Sequence, residues 1–183
     1  MDTIYYYLFA GAALVFLVLG IYLHKTSKKE IIEEEKQIQQ VAQQPQRVTR
    51  SANPEMIRLQ LQAYERLAIL CERIGLNNLL KRYYSPELSA KLFQLTMIQA
   101  IETEFEYNVS QQLYVSTNAW DAVKRLKEQN IFIINQLAVM LSANASAKDL
   151  AEKITEFLAS DENASLQQIV STLINNEAKM LMV

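Results

Sequence analysis

From Ile4 to Leu23 the chain runs twenty residues without a charge, IYYYLFAGAALVFLVLGIYL, and His24, Lys25, Lys28 and Lys29 follow at once. At about 1.5 Å per residue such a run is ~30 Å long as a helix, the thickness of the hydrocarbon core of a bilayer. Nothing else in the sequence constrains the fold as much. A cleaved signal peptide would begin with a basic region and end in small residues. Here the first residues are Met1-Asp2-Thr3, and the small residues Ala10, Gly11, Ala12 and Ala13 fall in the middle of the run. The sequence therefore predicts a retained transmembrane helix over 4–24. Tyr5, Tyr6 and Tyr7 at one end and Tyr22 at the other suit the headgroup level, and Lys25, Lys28 and Lys29 lie on the C-terminal flank only. That asymmetry predicts a single pass through a membrane. It leaves residues 1–3 as a short extracytoplasmic N-terminus and residues 25–183 in the cytoplasm.

The remaining chain is long enough for one domain with a real core. Its residue types exclude much chemistry. After residue 24 there is one glycine, Gly75, whereas nucleotide-binding loops need several to bring backbone amides against phosphate. The one histidine is His24 and the one cysteine is Cys71, so a single copy offers no His/Cys metal site, no His-assisted nucleophile and no disulfide. No cofactor, metal or small-molecule substrate is expected. Cys71 falls on an apolar helical stripe and reads as a buried, inert thiol.

Residues 25–53 form a polar juxtamembrane segment and linker. The stretch EIIEEEKQIQQVAQQ (30–44) carries only sparse apolar points, and Pro45 interrupts it. A helical domain spans 54–183. Asn53-Pro54-Glu55 is a helix start, followed by Met56, Leu59, Ala63, Leu67, Leu70 and Ile74 at spacings of three and four, with Gly75 placed to end the helix. A short piece over 77–84 leads to Ser85-Pro86-Glu87, which reads as a second N-cap. The next stripe, through Leu88, Leu92, Leu95, Ile98, Ile101 and Phe105, runs to about Tyr107. One helical turn is expected around Gln111–Val115. Asn118 with Asp121 starts the longest helix of the domain, whose apolar end IFIINQLAVML makes it the central core helix. Ser146 with Asp149, and Ser165 with Gln168, start two more. Strands would need sustained period-two alternation, which is absent. The fold class is all-α: one transmembrane helix plus a cytoplasmic bundle of five or six helices, with Trp120, Ile134, Leu137, Phe105, Leu92 and Leu67 buried together.

Charge is unevenly distributed. Residues 47–82 hold seven basic against three acidic side chains, and residues 145–183 three basic against six acidic. Arg58, Arg66 and Arg73 recur at spacings of eight and seven and share much of one face of the first soluble helix. They are the candidate partner surface. Expected partners are the acidic 149–162 segment of the same or a second chain, or anionic lipid near the anchor. Nucleic acid is not expected, because the domain is not basic overall.

Glu102, Glu104 and Glu106 are the densest carboxylates of the domain. They are the centre of an alternative reading as a carboxylate- and tyrosine-based enzyme, but no histidine is present to complete a helical di-iron site. The sequons at Asn108, Asn144 and Asn163 would be unused in the cytoplasm.

The runs Leu61-Gln62-Ala63-Tyr64-Glu65-Arg66-Leu67, Glu72-Arg73-Ile74 and Glu104-Phe105-Glu106-Tyr107-Asn108-Val109-Ser110-Gln111-Gln112-Leu113-Tyr114 resemble an uncharacterised Bacteroidetes family of single-pass membrane proteins with a helical cytoplasmic domain. The resemblance implies location and architecture, and no chemistry. The combined expectation is a non-catalytic, membrane-anchored interaction or scaffold protein. It is held to the bilayer through 4–24, with a protein partner or self-association. A stalk-like subunit of a larger membrane complex is the alternative layout.

Overall fold

In the computed structural model, residues 53–159 and 164–182 are described. The expected transmembrane helix over 4–24, its flanking Tyr5, Tyr6, Tyr7, Tyr22, Lys25, Lys28 and Lys29, and the juxtamembrane segment lie outside the described residues. Among the described residues no helix is long and apolar enough to cross a membrane.

The described residues form six α-helices and one 3-10 turn. These are α1 (Pro54–Ile74), α2 (Leu76–Tyr83), α3 (Ala90–Tyr107), the 3-10 turn (Val109–Leu113), α4 (Thr117–Val139), α5 (Ala147–Ala159) and α6 (Ala164–Met182). The all-α reading holds for them. The exception is a single antiparallel bridge between Ser89 and Ser146.

Helix α1 starts as its sequence dictates: the Asn53 side chain accepts a 3.0 Å hydrogen bond from the Glu55 amide, and Pro54 occupies the first turn. Its end differs from expectation. Gly75 does stop the helix, but with φ −62° and ψ 136°, so no left-handed turn ties off the last carbonyls. Side chains do this instead. The carbonyl of Glu72 accepts from Asn78 Nδ2 (2.7 Å), that of Arg73 from Arg82 (3.3 Å), and that of Ile74 from Asn130 Nδ2 (2.9 Å). Gly75 is needed for space: a Cβ there would meet the Gln167 amide group at 2.4 Å.

The start of α3 also corrects the sequence reading. Ser85–Leu88 is a turn, with the Leu88 amide on the Ser85 carbonyl. The N-cap is Ser89, whose Oγ accepts from the Leu92 amide at 3.2 Å. Likewise α4 is capped by Ser116, not Asn118; its Oγ accepts from the Ala119 amide at 3.0 Å. The capping box at α5 is as read: the Ser146 amide donates to Asp149 at 2.8 Å and the Asp149 amide to Ser146 at 3.3 Å. Around the bridge, Ala90 N donates to Ala145 O and Ala147 N to Leu88 O, both at 2.9 Å, which fastens the starts of α3 and α5 together. The Ser165–Gln168 box falls at the edge of the described residues, where α6 begins with Ala164.

Cross-contacts give the helix directions. Tyr64 meets Glu177 while Gly75 meets Gln167, so α6 runs antiparallel to α1. Tyr64 also meets Ser116 and Ile74 meets Asn130, so α4 runs alongside α1. Phe105 stacks at 5.0 Å on Trp120, while Gln94 donates to Asn135 at 2.7 Å, so α3 is antiparallel to α4. The core fills the space between them with Tyr64, Leu67, Leu70, Ile74, Phe93, Met97, Ile101, Leu126, Ile134 and Leu150. Leu67 and Ile134 are buried as expected, and Phe105, Trp120 and Leu137 are half-buried.

Leu92 is the error, and an informative one. It is 51% exposed and Leu95 49% exposed, while Phe93, Met97 and Ile101 face the core. Helix α3 carries apolar residues on both sides, so spacing alone does not choose its buried face. The end of α4 departs similarly: Ile133 and Ile134 are buried, but Val139 and Met140 are exposed.

Candidate interaction surface

Two features stand out once the helices are placed. One is an edge of arginines, aromatics and Glu104 across α1, α2 and α3. The other is the apolar outer face of α3 beside it.

The three arginines of α1 do lie on exposed positions, and each has a partner within the chain. Arg58 pairs with Glu55 in its own first turn. The Arg66 guanidinium sits 5.4 Å from the centre of the Tyr107 ring and donates to the Tyr107 hydroxyl at 3.4 Å. Arg73 reaches Glu104 Oε2 at 3.2 Å. Their partners are thus Glu55, Tyr107 and Glu104, not the acidic stretch of α5, where Glu152 and Glu156 pair with Lys148 and Lys153. The intrachain version of the expected acidic contact is therefore not the one made among the described residues.

Glu104 organises this edge. One oxygen holds Arg73 and the other Arg82 at 3.3 Å, and Arg82 in turn lies 5.0 Å from the centre of the Tyr83 ring. The carboxylate is mostly covered, with 14% of its side chain exposed. The cluster carries one more positive than negative charge. Such half-exposed pairs are worth ~0–1 kcal/mol each, so they orient α2 against α1 and α3 more than they hold the domain together.

The carboxylates proposed as a catalytic centre are divided. Glu104 has one oxygen on the Arg73 guanidinium and the other on that of Arg82. Glu102 and Glu106 are exposed on the outer side of α3. Among the described residues no group of three or more His, Cys, Asp or Glu side chains is placed to hold a metal ion. Burial pushes the Cys71 thiol up to about 12, as an inert core thiol requires. Asn108, read as a sequon, is buried and donates to the Glu104 carbonyl at 2.8 Å, which makes it a local cap.

Beside the arginine edge lies an open groove between α2 and α3. Its lining includes Tyr83, Leu95, Ile98, Gln99, Glu102 and Glu104. Leu92 continues the apolar strip one turn toward the start of α3. Sequence reasoning assigned Leu92 and Leu95 to the core, so it missed this surface.

A third cluster is buried. Glu177 of α6 accepts hydrogen bonds from the Tyr64 hydroxyl (2.7 Å) and the Ser116 hydroxyl (2.6 Å), and the Ser116 amide donates to the Tyr64 oxygen at 3.0 Å. Burial and the neighbouring carboxylate raise the Tyr64 phenol above its usual range. No local pattern announces this link, since its members lie on three elements. It joins α1, α6 and the cap of α4.

The described residues thus define an all-α domain with a fixed buried polar link, an internally paired arginine edge and an apolar outer helix face. Over residues 2–181 the chain matches the family of unknown function DUF7935, and it belongs to that family. No curated protein and no solved structure matches it.

Proposed function

We propose that this chain is a non-catalytic, membrane-anchored interaction protein. Residues 4–24 hold it in a bacterial inner membrane, and the outward face of α3 is its contact surface on the cytoplasmic side. The observation that carries the contact is Leu92 and Leu95, half exposed on consecutive turns of a well-packed helix and bordering a groove with Tyr83. Scattered single apolar residues are normal on surfaces, whereas an apolar strip along one helix face marks a binding site. The anchor rests on the uncharged run and its one-sided lysines. Arg73 and Arg82, both held on Glu104 at the edge of this groove, border the surface as a polar rim.

A photo-cross-linking amino acid at Leu95 tests this in intact cells that make the full chain. A discrete protein adduct at Leu95, absent with the same probe at exposed Glu65, is the expected result. Equal, diffuse labelling at both positions would remove the contact surface. The location is tested by fusing to Val183 a phosphatase that works only outside the cytoplasm; low activity is expected, and high activity would reverse the orientation.

A further inference from the structure

The outward stripe of α3 has a pattern that selects its own partner. Lys91, Leu95, Ile98 and Glu102 stand at positions i, i+4, i+7 and i+11. Eleven residues are ~3 turns at ~3.6 residues per turn, so the four fall on one line along the helix, ~16 Å long. The line reads basic, apolar, apolar, acidic. It therefore matches itself when reversed: about a point midway between Leu95 and Ile98, Lys91 changes places with Glu102, and Leu95 with Ile98. Lys91 and Glu102 are both exposed, and neither has an ion-pair partner among the described residues. Lys91 only donates to the Gln94 side chain at 3.3 Å. The Glu104 carboxylate, by contrast, is already filled by Arg73 and Arg82. Among the described residues the charges of α3 without an ion pair are Lys91, Glu102 and Glu106, and the first two stand at the two ends of this line with opposite sign.

We propose that the partner of this face is a second copy of the chain, bound through an antiparallel α3–α3 contact around a twofold axis. Lys91 of each copy faces Glu102 of the other, and Leu95 and Ile98 close the centre. A twofold contact uses the same patch on both copies, so every residue pair occurs twice, and the reversed charge pattern meets that condition. Glu106, one turn beyond Glu102, falls past the start of the opposite α3 at Ala90 in this register. Tyr83 and Leu92 flank the seam as additional apolar cover. One helix pair is a small interface by the standards of stable complexes, so the association is weak between free domains and is strengthened when both copies share a membrane. The proposal rests on the reading of the α3 outer face as the contact surface.

The test is charge reversal. Full-length protein in non-ionic micelles at low salt is followed by sedimentation velocity over a concentration series, with Lys91→Glu, Glu102→Lys and the double variant. Wild type is expected to self-associate. Each single reversal places like charges together at both ends and weakens association at least about tenfold, whereas the double variant restores both pairs and returns to within about threefold of wild type. Wild type that stays monomeric overturns the proposal, as do single reversals without effect or a folded double variant without recovery.

Should the charge variants lose their fold, cross-linking decides. Leu95→Cys and Ile98→Cys proteins are mixed and treated with a short bis-maleimide. Heterodimer in excess over a mixture of Leu95→Cys with Glu65→Cys is expected; no excess overturns the pairing. A monomeric wild type together with a Leu95 photo-adduct to a different protein would reject the second copy and leave the contact surface standing. No adduct of any kind would reject both.

Discussion

The hydroxyl of Tyr64 donates a 2.7 Å hydrogen bond to the carboxylate of Glu177, 113 positions further along the chain. This bond pins the last helix to the first. Glu177 is only 3% exposed and, among the described residues, is held by two hydroxyl donors with no cation, so each donor counts. Tyr64→Phe removes one donor and also strips the Ser116 amide of its acceptor. A loss of ~1.5–3 kcal/mol in urea denaturation is expected, since hydrogen bonds to charged groups contribute that much. A loss under about 0.5 kcal/mol would show that the link is incidental.

Asn130 supplies the missing C-cap of α1 by donating to the Ile74 carbonyl from the buried side of α4. Asn130→Ala leaves that carbonyl unpaired in the core, and ~1–3 kcal/mol of stability should be lost. Amide exchange should speed up in the last turn of α1 before it does in α5. Unchanged exchange at Glu72 to Ile74 would contradict the capping role.

Cys71 gives a pH signature. Its thiol is raised to about 12 in the fold by burial, against ~8.5 for an unfolded thiol. Between those values the unfolded chain has lost the proton that the folded chain keeps, so stability is full below ~8.5 and falls as pH rises, by up to ~1.4 kcal/mol per pH unit from this group. Cys71→Ala should flatten the slope between pH 9 and 10, measured by urea titration at each pH. An identical slope in both proteins would mean that the thiol titrates normally.

Adjacent residues of α3 should respond in opposite ways. Phe93 is fully buried and meets Tyr84 edge-on at 6.0 Å between ring centres. Phe93→Ala should cost ~3–5 kcal/mol through the cavity it leaves, and Leu92→Ala less than about 1 kcal/mol in the isolated chain. Equal losses would restore the phasing read from the sequence.

That pair shows what was legible in the sequence. Where a helix had one apolar side and local capping chemistry, its place was readable: α1 from Asn53-Pro54 to Gly75, and α5 from the Ser146–Asp149 box. Helix α3 was misphased because Leu92, Leu95 and Ile98 compete with Phe93, Met97 and Ile101, and only the neighbours α1, α4 and α5 decide between them. The caps Ser89 and Ser116 were missed for a related reason. Ser85-Pro86 and Asn118 are equally good local caps, and the bridge to Ser146 and the bond from Ser116 to Glu177 are made by distant segments. Gly75 was read as a conformational need and is a spatial one, set by Gln167 some ninety residues away. The arginines of α1 are exposed, and their pairing with Glu104 and Tyr107 depends on how α3 crosses α1.

The central claim is that the outer face of α3 is covered when the protein is at work. Thiol accessibility at Leu95→Cys tests this most directly, because the native Cys71 is buried and slow to react. Membranes containing the full chain and dilute purified protein are treated with the same maleimide, with exposed Glu55→Cys as the reference. The account predicts that Leu95→Cys reacts as fast as the reference in dilute protein and at least about tenfold more slowly in membranes. Equal rates at the two positions in membranes would contradict it.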